Sequence, residues 1–304
     1  RADPTIVIEA VKKHGCALEY AANDLRADPT IVMEAVKNHG CALQYAADDF
    51  RSDPAIVLET IKAQAPWQFA VLQCAADSVR ADPTIVLEAA KHNGHSLQYA
   101  TDDLKADPSF MLEAVKVSRV YRGHALRYAA DNVKADPTIV LEAVKEDGCA
   151  LQCAAVDLRA DPTIVLEAVK EDGSALQYAA VDLRAGPTIV LEAVKRHGSA
   201  LQHAADDLKC DPTVVLEAIR NSWHSFEHAA DDLKRSRSFL LEALRQQGET
   251  FRDGIMDKGR RDTVGKFERT LTALHFCIDD IRSDPEFMLA AVREFGLAIR
   301  DASE

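Results

Sequence analysis

Apolar residues recur along the chain in blocks of 25 residues, and each block contains two short amphipathic segments. The first segment reads T-I-V-L-E-A-V-K and predicts helix A, about ten residues long. The second reads A-L-Q-Y-A-A-D-D-L and predicts helix B, because Leu18, Ala21, Ala22 and Leu25 follow the i, i+3, i+4, i+7 spacing of one buried face. Helices this short fall below the ~12–15 residues that independent stability requires, so neighbouring copies must cover their apolar faces.

The consensus R/K-A-D-P-T-I-V-L-E-A-V-K-x-x-G-x-A-L-Q-Y-A-A-D-D-L occurs about eleven times. The repeats begin at residues 1, 26, 51, 80, 105, 134, 159, 184, 209, 234 and 282. Regular repeats span residues 1–248, an insertion in the turn of repeat ten spans 249–269, and residues 270–304 hold the end of that repeat and a final partial one. We therefore expect an all-α solenoid, with the helical hairpins stacked into one curved superhelix.

The ends of helix A carry recognisable signals. The Asp before each Pro, as at Asp3, is predicted to be the N-cap, and the Pro occupies the first helical position, where its missing N–H costs nothing. The Gly at repeat position 15, as at Gly15, is predicted to end helix A in the left-handed conformation.

The segment D-P-T-I-V-L-E-A-V-K-E-D-G-S-A-L-Q-Y-A-A at residues 161–180 resembles domain-of-unknown-function family 4116, and the resemblance covers nearly the whole chain. It implies a repeat protein of the kind found in algae, protists and large DNA viruses. It implies no catalytic residue, because the family has none assigned.

Charge and composition narrow the range of partners. The 304 residues include 49 acids against 36 Lys and Arg, a net charge of −13, which disfavours nucleic acid. No apolar run approaches the ~20 residues of a membrane helix, which leaves only peripheral membrane contact through a partner. Seven Cys without a C-x-x-C pair indicate thiols in a reducing compartment, cytoplasmic or organellar. The sequence has no initiator Met, so any N-terminal targeting segment is expected to lie outside this chain.

Departures from the consensus gather in the turn between helices A and B, which would lie along one rim of a solenoid. Repeats three, five and ten have longer turns, and repeat nine replaces the Gly with Trp. The candidate partner-binding residues of this rim are Trp67, Phe69, Tyr121, Arg122, Trp223, Arg260 and Arg261. For the aromatic residues the alternatives are anchors for a partner and rings that fill gaps in the stack. For the basic residues the alternatives are docking of an acidic partner and a solvated loop.

The sequence predicts no catalytic residue, no metal ligand and no cofactor. Acid pairs such as Asp48–Asp49 point about 100° apart on a helix and are interpreted as ion-pair partners of the following Arg or Lys. His224 and His228 are four residues apart, but no third ligand stands at a recognisable spacing. We expect a non-catalytic scaffold or protein–protein interaction module. The alternatives are an accessory subunit of a large organellar or photosynthetic complex and, disfavoured by charge, an RNA-binding repeat.

Overall fold

The computed structural model describes residues 2–63, 71–118, 124–246, 284–287, 289–290 and 293. These residues form helices and turns without any strand. The chain divides into two compact bodies, residues 1–155 and residues 156–304. Each body is a stack of repeats in which neighbouring helices pack against one another, so the predicted all-α repeat solenoid is confirmed.

Helix A has ten residues in each of the first nine repeats. The nine helices are Pro4–Lys13, Pro29–Asn38, Pro54–Ala63, Pro83–His92, Pro108–Val117, Pro137–Glu146, Pro162–Glu171, Pro187–Arg196 and Pro212–Asn221, and residues 237–246 form the helix A of repeat ten. Across the described ranges, no helix is both long enough and apolar enough to span a bilayer.

The predicted start of helix A is confirmed. In repeat two, Asp28 Oδ1 accepts hydrogen bonds from the backbone N–H groups of Thr30 at 2.8 Å and Ile31 at 3.1 Å. Eight of the nine Pro-initiated helices have this Asp cap, and the exception is Gly186, whose helix Pro187–Arg196 has no side-chain cap. The cap satisfies donors that the first helical turn leaves without intrahelical partners.

Helix B is not the single helix that the sequence predicted. Among the first nine repeats, the segment after the turn is a six-residue 3-10 helix in seven, and a four-residue α-helix in repeats three and five, where the turn is longer. The 3-10 helices are Gly15–Tyr20, Gly40–Tyr45, Gly94–Tyr99, Gly148–Cys153, Gly173–Tyr178, Gly198–His203 and Trp223–His228; the α-helices are Val71–Cys74 and His124–Arg127. Gly15, Leu18 and Ala21 are buried at a spacing of three, which matches three residues per turn.

The chain leaves helix B at the paired alanines, which adopt extended conformations, as Ala46 (φ −71°, ψ 160°) and Ala47 (φ −59°, ψ 156°) do in repeat two. The N–H of the second alanine turns outward from its own helix, and Ala47 donates to the carbonyl of Arg26 at 2.9 Å. The equivalent bond recurs in each repeat from two to nine. This bond replaces the i−4 bond that would have continued helix B, and it ties the end of helix B to the first residue of its own repeat, just before helix A.

A third short element, helix C, follows the alanines and leads into the next repeat. Its bounds are Leu25–Ala27, Asp48–Ser52, Asp77–Arg80, Asp102–Ala106, Asp131–Lys134, Leu158–Ala160, Val181–Arg184, Asp206–Lys209 and Asp231–Arg235. The paired acids therefore open helix C and do not close helix B. The predicted ion pairs are present: the acid at repeat position 23 binds the Arg or Lys three residues later, as Asp48 binds Arg51 and Asp206 binds Lys209.

The core of each body lies between layers of helices A and B. Helix A buries repeat positions 6, 7, 10 and 11, which in repeat two are Ile31, Val32, Ala35 and Val36. Helix B contributes the position-18 side chain, which is Leu in repeats one to eight and is fully buried throughout. Each Pro-initiated helix A contacts the next one within its body, so the apolar faces of these short helices are covered by their neighbours.

The turn glycine has a different role from the one predicted. None of Gly15, Gly173 and Gly198 has a left-handed φ; the residue before each is extended, with φ near −140°. A Cβ on Gly173 would lie 2.2 Å from the carbonyl oxygen of Ala193, in helix A of the next repeat. The glycine is required by the close approach of the following helix rather than by its own dihedral angles.

Candidate interaction surfaces

Helix B directs its repeat position 19 towards solvent and position 20 beside it, and the side chains at these two positions form the helix B row of each body. In the first body the row consists of Glu19, Tyr20, Gln44, Tyr45, Gln73, Cys74, Gln98, Tyr99, Arg127, Tyr128, Gln152 and Cys153; in the second body it consists of Gln177, Tyr178, Gln202, His203, Glu227 and His228. Most Gln side chains of the row are exposed, whereas most residues at position 20 are half-buried.

Hydrogen bonds connect side chains of the helix B surface from one repeat to the next. Tyr99 Oη donates to Gln73 Oε1 at 3.0 Å, and Tyr128 Oη lies 2.7 Å from His95 Nδ1. Burial, and then the nearby Glu19 carboxylate, raise the pKa of the Tyr45 phenol. The Tyr99–Gln73 bond holds a phenol and an amide of successive repeats in place.

Side chains also bridge successive repeats along the rim of A–B turns. Asn38 accepts a hydrogen bond from the Gly15 N–H at 3.0 Å and donates one to the Lys12 carbonyl at 2.8 Å. In the second body, Asn221 makes the same pair of bonds to Gly198 and Lys195. Where the turn keeps its consensus length, polar groups of the rim are therefore used in stacking the repeats. Sequence reasoning missed this role of Asn, although its position at the end of helix A was visible.

Six of the seven candidate rim residues, namely Trp67, Phe69, Tyr121, Arg122, Arg260 and Arg261, lie outside the described residues. The seventh, Trp223, is only 6% exposed, and its ring meets Phe226 edge-on with centroids 6.0 Å apart. Phe226 in turn stacks on Phe239 of repeat ten at 6.0 Å. A side chain this deeply buried is not available to a partner, so its placement fits the gap-filling alternative.

The histidine pair does not converge on one point. His224 and His228 both lie on the 3-10 helix Trp223–His228, where residues four apart point about 120° from each other. His224 is exposed and His228 is half-buried. Within the ranges that the structure covers, no group of three His, Cys, Asp or Glu side chains is placed to hold a metal ion.

The six described cysteines are free thiols that differ in environment. Burial, and then the neighbouring Cys41, raise the pKa of Cys74 to about 11, whereas Cys210 is exposed. Since the thiolate is the nucleophile, and only about one Cys74 in a thousand would be ionised at pH 8, we expect iodoacetamide to label Cys210 well before Cys74. Peptide mapping by mass spectrometry checks this order; equal labelling of both thiols in the folded chain would contradict it.

Comparison with known proteins identifies one family for the repeats. The family described as Domain of unknown function (DUF4116) matches the chain six times, over residues 3–51, 28–77, 82–134, 136–184, 187–234 and 214–253. No curated protein and no solved structure matches the chain.

Proposed function

We propose that this chain, which belongs to the DUF4116 family, is a non-catalytic scaffold that binds other proteins along the helix B row. The proposal rests on one observation, namely which consensus residues build the stack and which do not. The N-cap Asp, the turn Gly, the buried Leu and the paired alanines all serve helix ends or contacts between repeats. Most side chains at repeat position 19 of the row, by contrast, stay exposed.

The chemistry of the helix B row suits a peptide backbone. Exposed amides such as Gln177 and Gln202 each offer a donor and an acceptor, and they lie on helices B that contact each other in successive repeats. An extended segment crossing several repeats would meet the same pair of groups each time. Half-buried neighbours such as Tyr178 add amphipathic contact area, of the kind enriched in protein interfaces.

Site-specific photo-cross-linking tests the proposal. A benzophenone amino acid replaces Gln177 or Gln202 on the row, and in matched controls it replaces Lys170 or Lys195 on the exposed side of helix A in the same two repeats. We expect the two row positions, in extracts of the source cells, to cross-link one and the same protein, and the helix A positions not to do so. Equal cross-linking from helix A, or nuclease-sensitive products from the row, would contradict a protein-binding row.

A narrower form of the proposal is a stably bound accessory subunit of a large organellar or photosynthetic complex. It differs from a transient scaffold in stoichiometry, since a subunit stays in a fixed ratio to its complex through purification. Native mass spectrometry of the cross-linked fraction separates the two, because a scaffold exchanges partners and yields mixed ratios.

A further inference from the structure

Two valines stand out on the surface of the second body. Val156 is 69% exposed and Val181 is 68% exposed, more than any other large apolar side chain in the described ranges. Both occupy repeat position 23, where the consensus has Asp. They lie on adjacent turns, because Ala180, directly before Val181, donates its N–H to the Arg159 carbonyl at 2.8 Å, three residues after Val156. Val181 is the first residue of helix C Val181–Arg184, and Val156 lies in the turn directly before helix C Leu158–Ala160, so the two side chains stand at the starts of neighbouring helices C.

The substitution also removes an ion-pair partner from two arginines. In six other repeats the position-23 side chain binds the basic residue three positions later: Asn23 with Arg26, Asp48 with Arg51, Asp77 with Arg80, Asp102 with Lys105, Asp206 with Lys209 and Asp231 with Lys234. Arg159 and Arg184 have Val at that place, and within the described ranges neither side chain makes an ion pair or hydrogen bond. Asp157 and Asp182, the second acids of the two turns, make no such pair with them.

A third acid is missing close by. Gly186 replaces the N-cap Asp that eight other helices A have, two residues after Arg184. The positive charge of Arg184 acts on its surroundings, since the pKa of His203 is lowered first by burial and next by Arg184, with smaller contributions from His228 and Lys209. On a chain with net charge −13, this is a place where three consensus acids are absent and two arginines have no acidic partner.

We propose that Val156, Val181, Arg159 and Arg184 form a docking site for an acidic segment of a protein partner that carries aliphatic side chains. Its carboxylates would take the places that position-23 acids hold in other repeats, and its aliphatic groups would cover the valines. The site lies on helices C and their junctions to helix A, so it is separate from the helix B row and does not rest on it.

Geometry and size favour a short extended segment over a second copy of the chain. Packed helices lie about 8–10 Å apart, and acids three residues apart in a polyproline II segment lie on one side at about 9 Å. An acid at every third residue would therefore meet both arginines. Two valines and two arginines offer much less than the ~800 Å² that each partner buries in a stable protein–protein interface.

The probe is a fluorescein-labelled peptide, Glu-Leu-Pro-Glu-Leu-Pro-Glu, with blocked termini, and binding is measured by fluorescence anisotropy. The test variant V156D/V181D restores both consensus acids, which can pair with Arg159 and Arg184 three residues later. We expect the variant to keep its circular dichroism spectrum and melting temperature while its affinity for the peptide falls about tenfold or more. The matched control is K170Q/K195Q, which changes the net charge by the same −2 on exposed helix A positions of repeats seven and eight; it should bind as the unmodified chain does.

Four results would overturn the proposal. The first is unchanged affinity in V156D/V181D, and the second is an equal loss in K170Q/K195Q, which would reduce the effect to overall charge. The third is a wild-type chain that forms dimers in analytical ultracentrifugation while V156D/V181D stays monomeric, because the valines would then be a contact between copies. Replacing the peptide's Glu by Gln should abolish binding, and a Gln peptide that binds equally well would exclude the arginines as its anchors. The outcome is independent of the cross-linking test of the helix B row.

Discussion

Replacement of Gly173 by alanine is expected to destabilise the second body by about 1–3 kcal/mol, the cost of overpacking a closely packed contact. The added Cβ would lie 2.2 Å from the Ala193 carbonyl oxygen and 2.9 Å from the His197 backbone nitrogen. Both are backbone atoms of the next repeat, so no side-chain rotation relieves the overlap. The helix Pro187–Arg196 must move away instead, and its buried contacts with repeat seven must loosen. Urea denaturation followed by circular dichroism measures the change.

Gly186→Ala is the matched control, because it makes the same change to the unfolded chain at a place where the added methyl group is much less crowded. Its Cβ would come no closer than 3.2 Å to the Leu183 carbonyl oxygen, and its φ of −79° suits any residue. Alanine is a poorer N-cap residue than glycine, but it also lowers the conformational entropy of the unfolded chain, so we expect this variant to lose less than about 1 kcal/mol. If Gly173→Ala and Gly186→Ala have the same unfolding midpoint, the close approach is not what requires glycine at repeat position 15.

The sequence identified this glycine as necessary but could not say why. A glycine that follows a ten-residue helical pattern is typical of a left-handed C-cap, which is a property of the local chain. In the structure the requirement comes from Ala193, twenty residues further along, through a contact that exists only after two repeats have stacked. By contrast, the Asp-Pro start of helix A depends on neighbouring residues alone, and its prediction is confirmed at Asp28 and its equivalents.

The division of the predicted helix B into two elements has a similar origin. Over six residues a period of 3.0 and a period of 3.6 both place Gly15, Leu18 and Ala21 on one face, so the apolar pattern does not separate a 3-10 helix from an α-helix. The break at Ala47 depends on the Arg26 carbonyl, which becomes available only when the preceding helix C lies alongside. The burial of the leucines was predictable from the pattern, whereas the hydrogen-bond acceptor of the Ala47 N–H was not.

The candidate surfaces, too, have some features that follow from the local sequence and others that depend on how the repeats pack together. Trp223 stands in the sequence at a turn on an exposed rim, but it is buried and its ring packs edge-on against Phe226, which in turn stacks on Phe239. Val156 and Val181 were visible as departures from the Asp pairs. Their consequence became visible only from the ion pairs of other repeats, such as Asp206 with Lys209. These pairs show that Val156 and Val181 stand where Arg159 and Arg184 would otherwise have an acidic partner.

Trp223→Gly is expected to lower stability by about 3–5 kcal/mol, even though it restores the consensus residue of the turn. In consensus repeats the next helix A fills the space beside the glycine, with a backbone oxygen 2.2–2.4 Å from where a Cβ would stand. A Trp that is 6% exposed can occupy that slot only where the following helix is not so close. Removing the indole therefore leaves a cavity beside Phe226 that repeat ten cannot fill without repacking. Thermal and urea unfolding by circular dichroism measure the loss.

Trp223→Phe separates packing from hydrogen bonding at the same position. Across the described residues the indole Nε1 of Trp223 is buried without a hydrogen-bond acceptor, so a phenyl ring keeps most of the apolar contact and loses no hydrogen bond. We expect this variant to lose about 1–2 kcal/mol, much less than Trp223→Gly, because the smaller phenyl ring leaves only part of the cavity. A Trp223→Gly variant as stable as Trp223→Phe would mean that repeat ten closes onto the glycine as other repeats do. In that case the aromatic side chain would not be needed for stacking, and its role as a partner contact would have to be considered again.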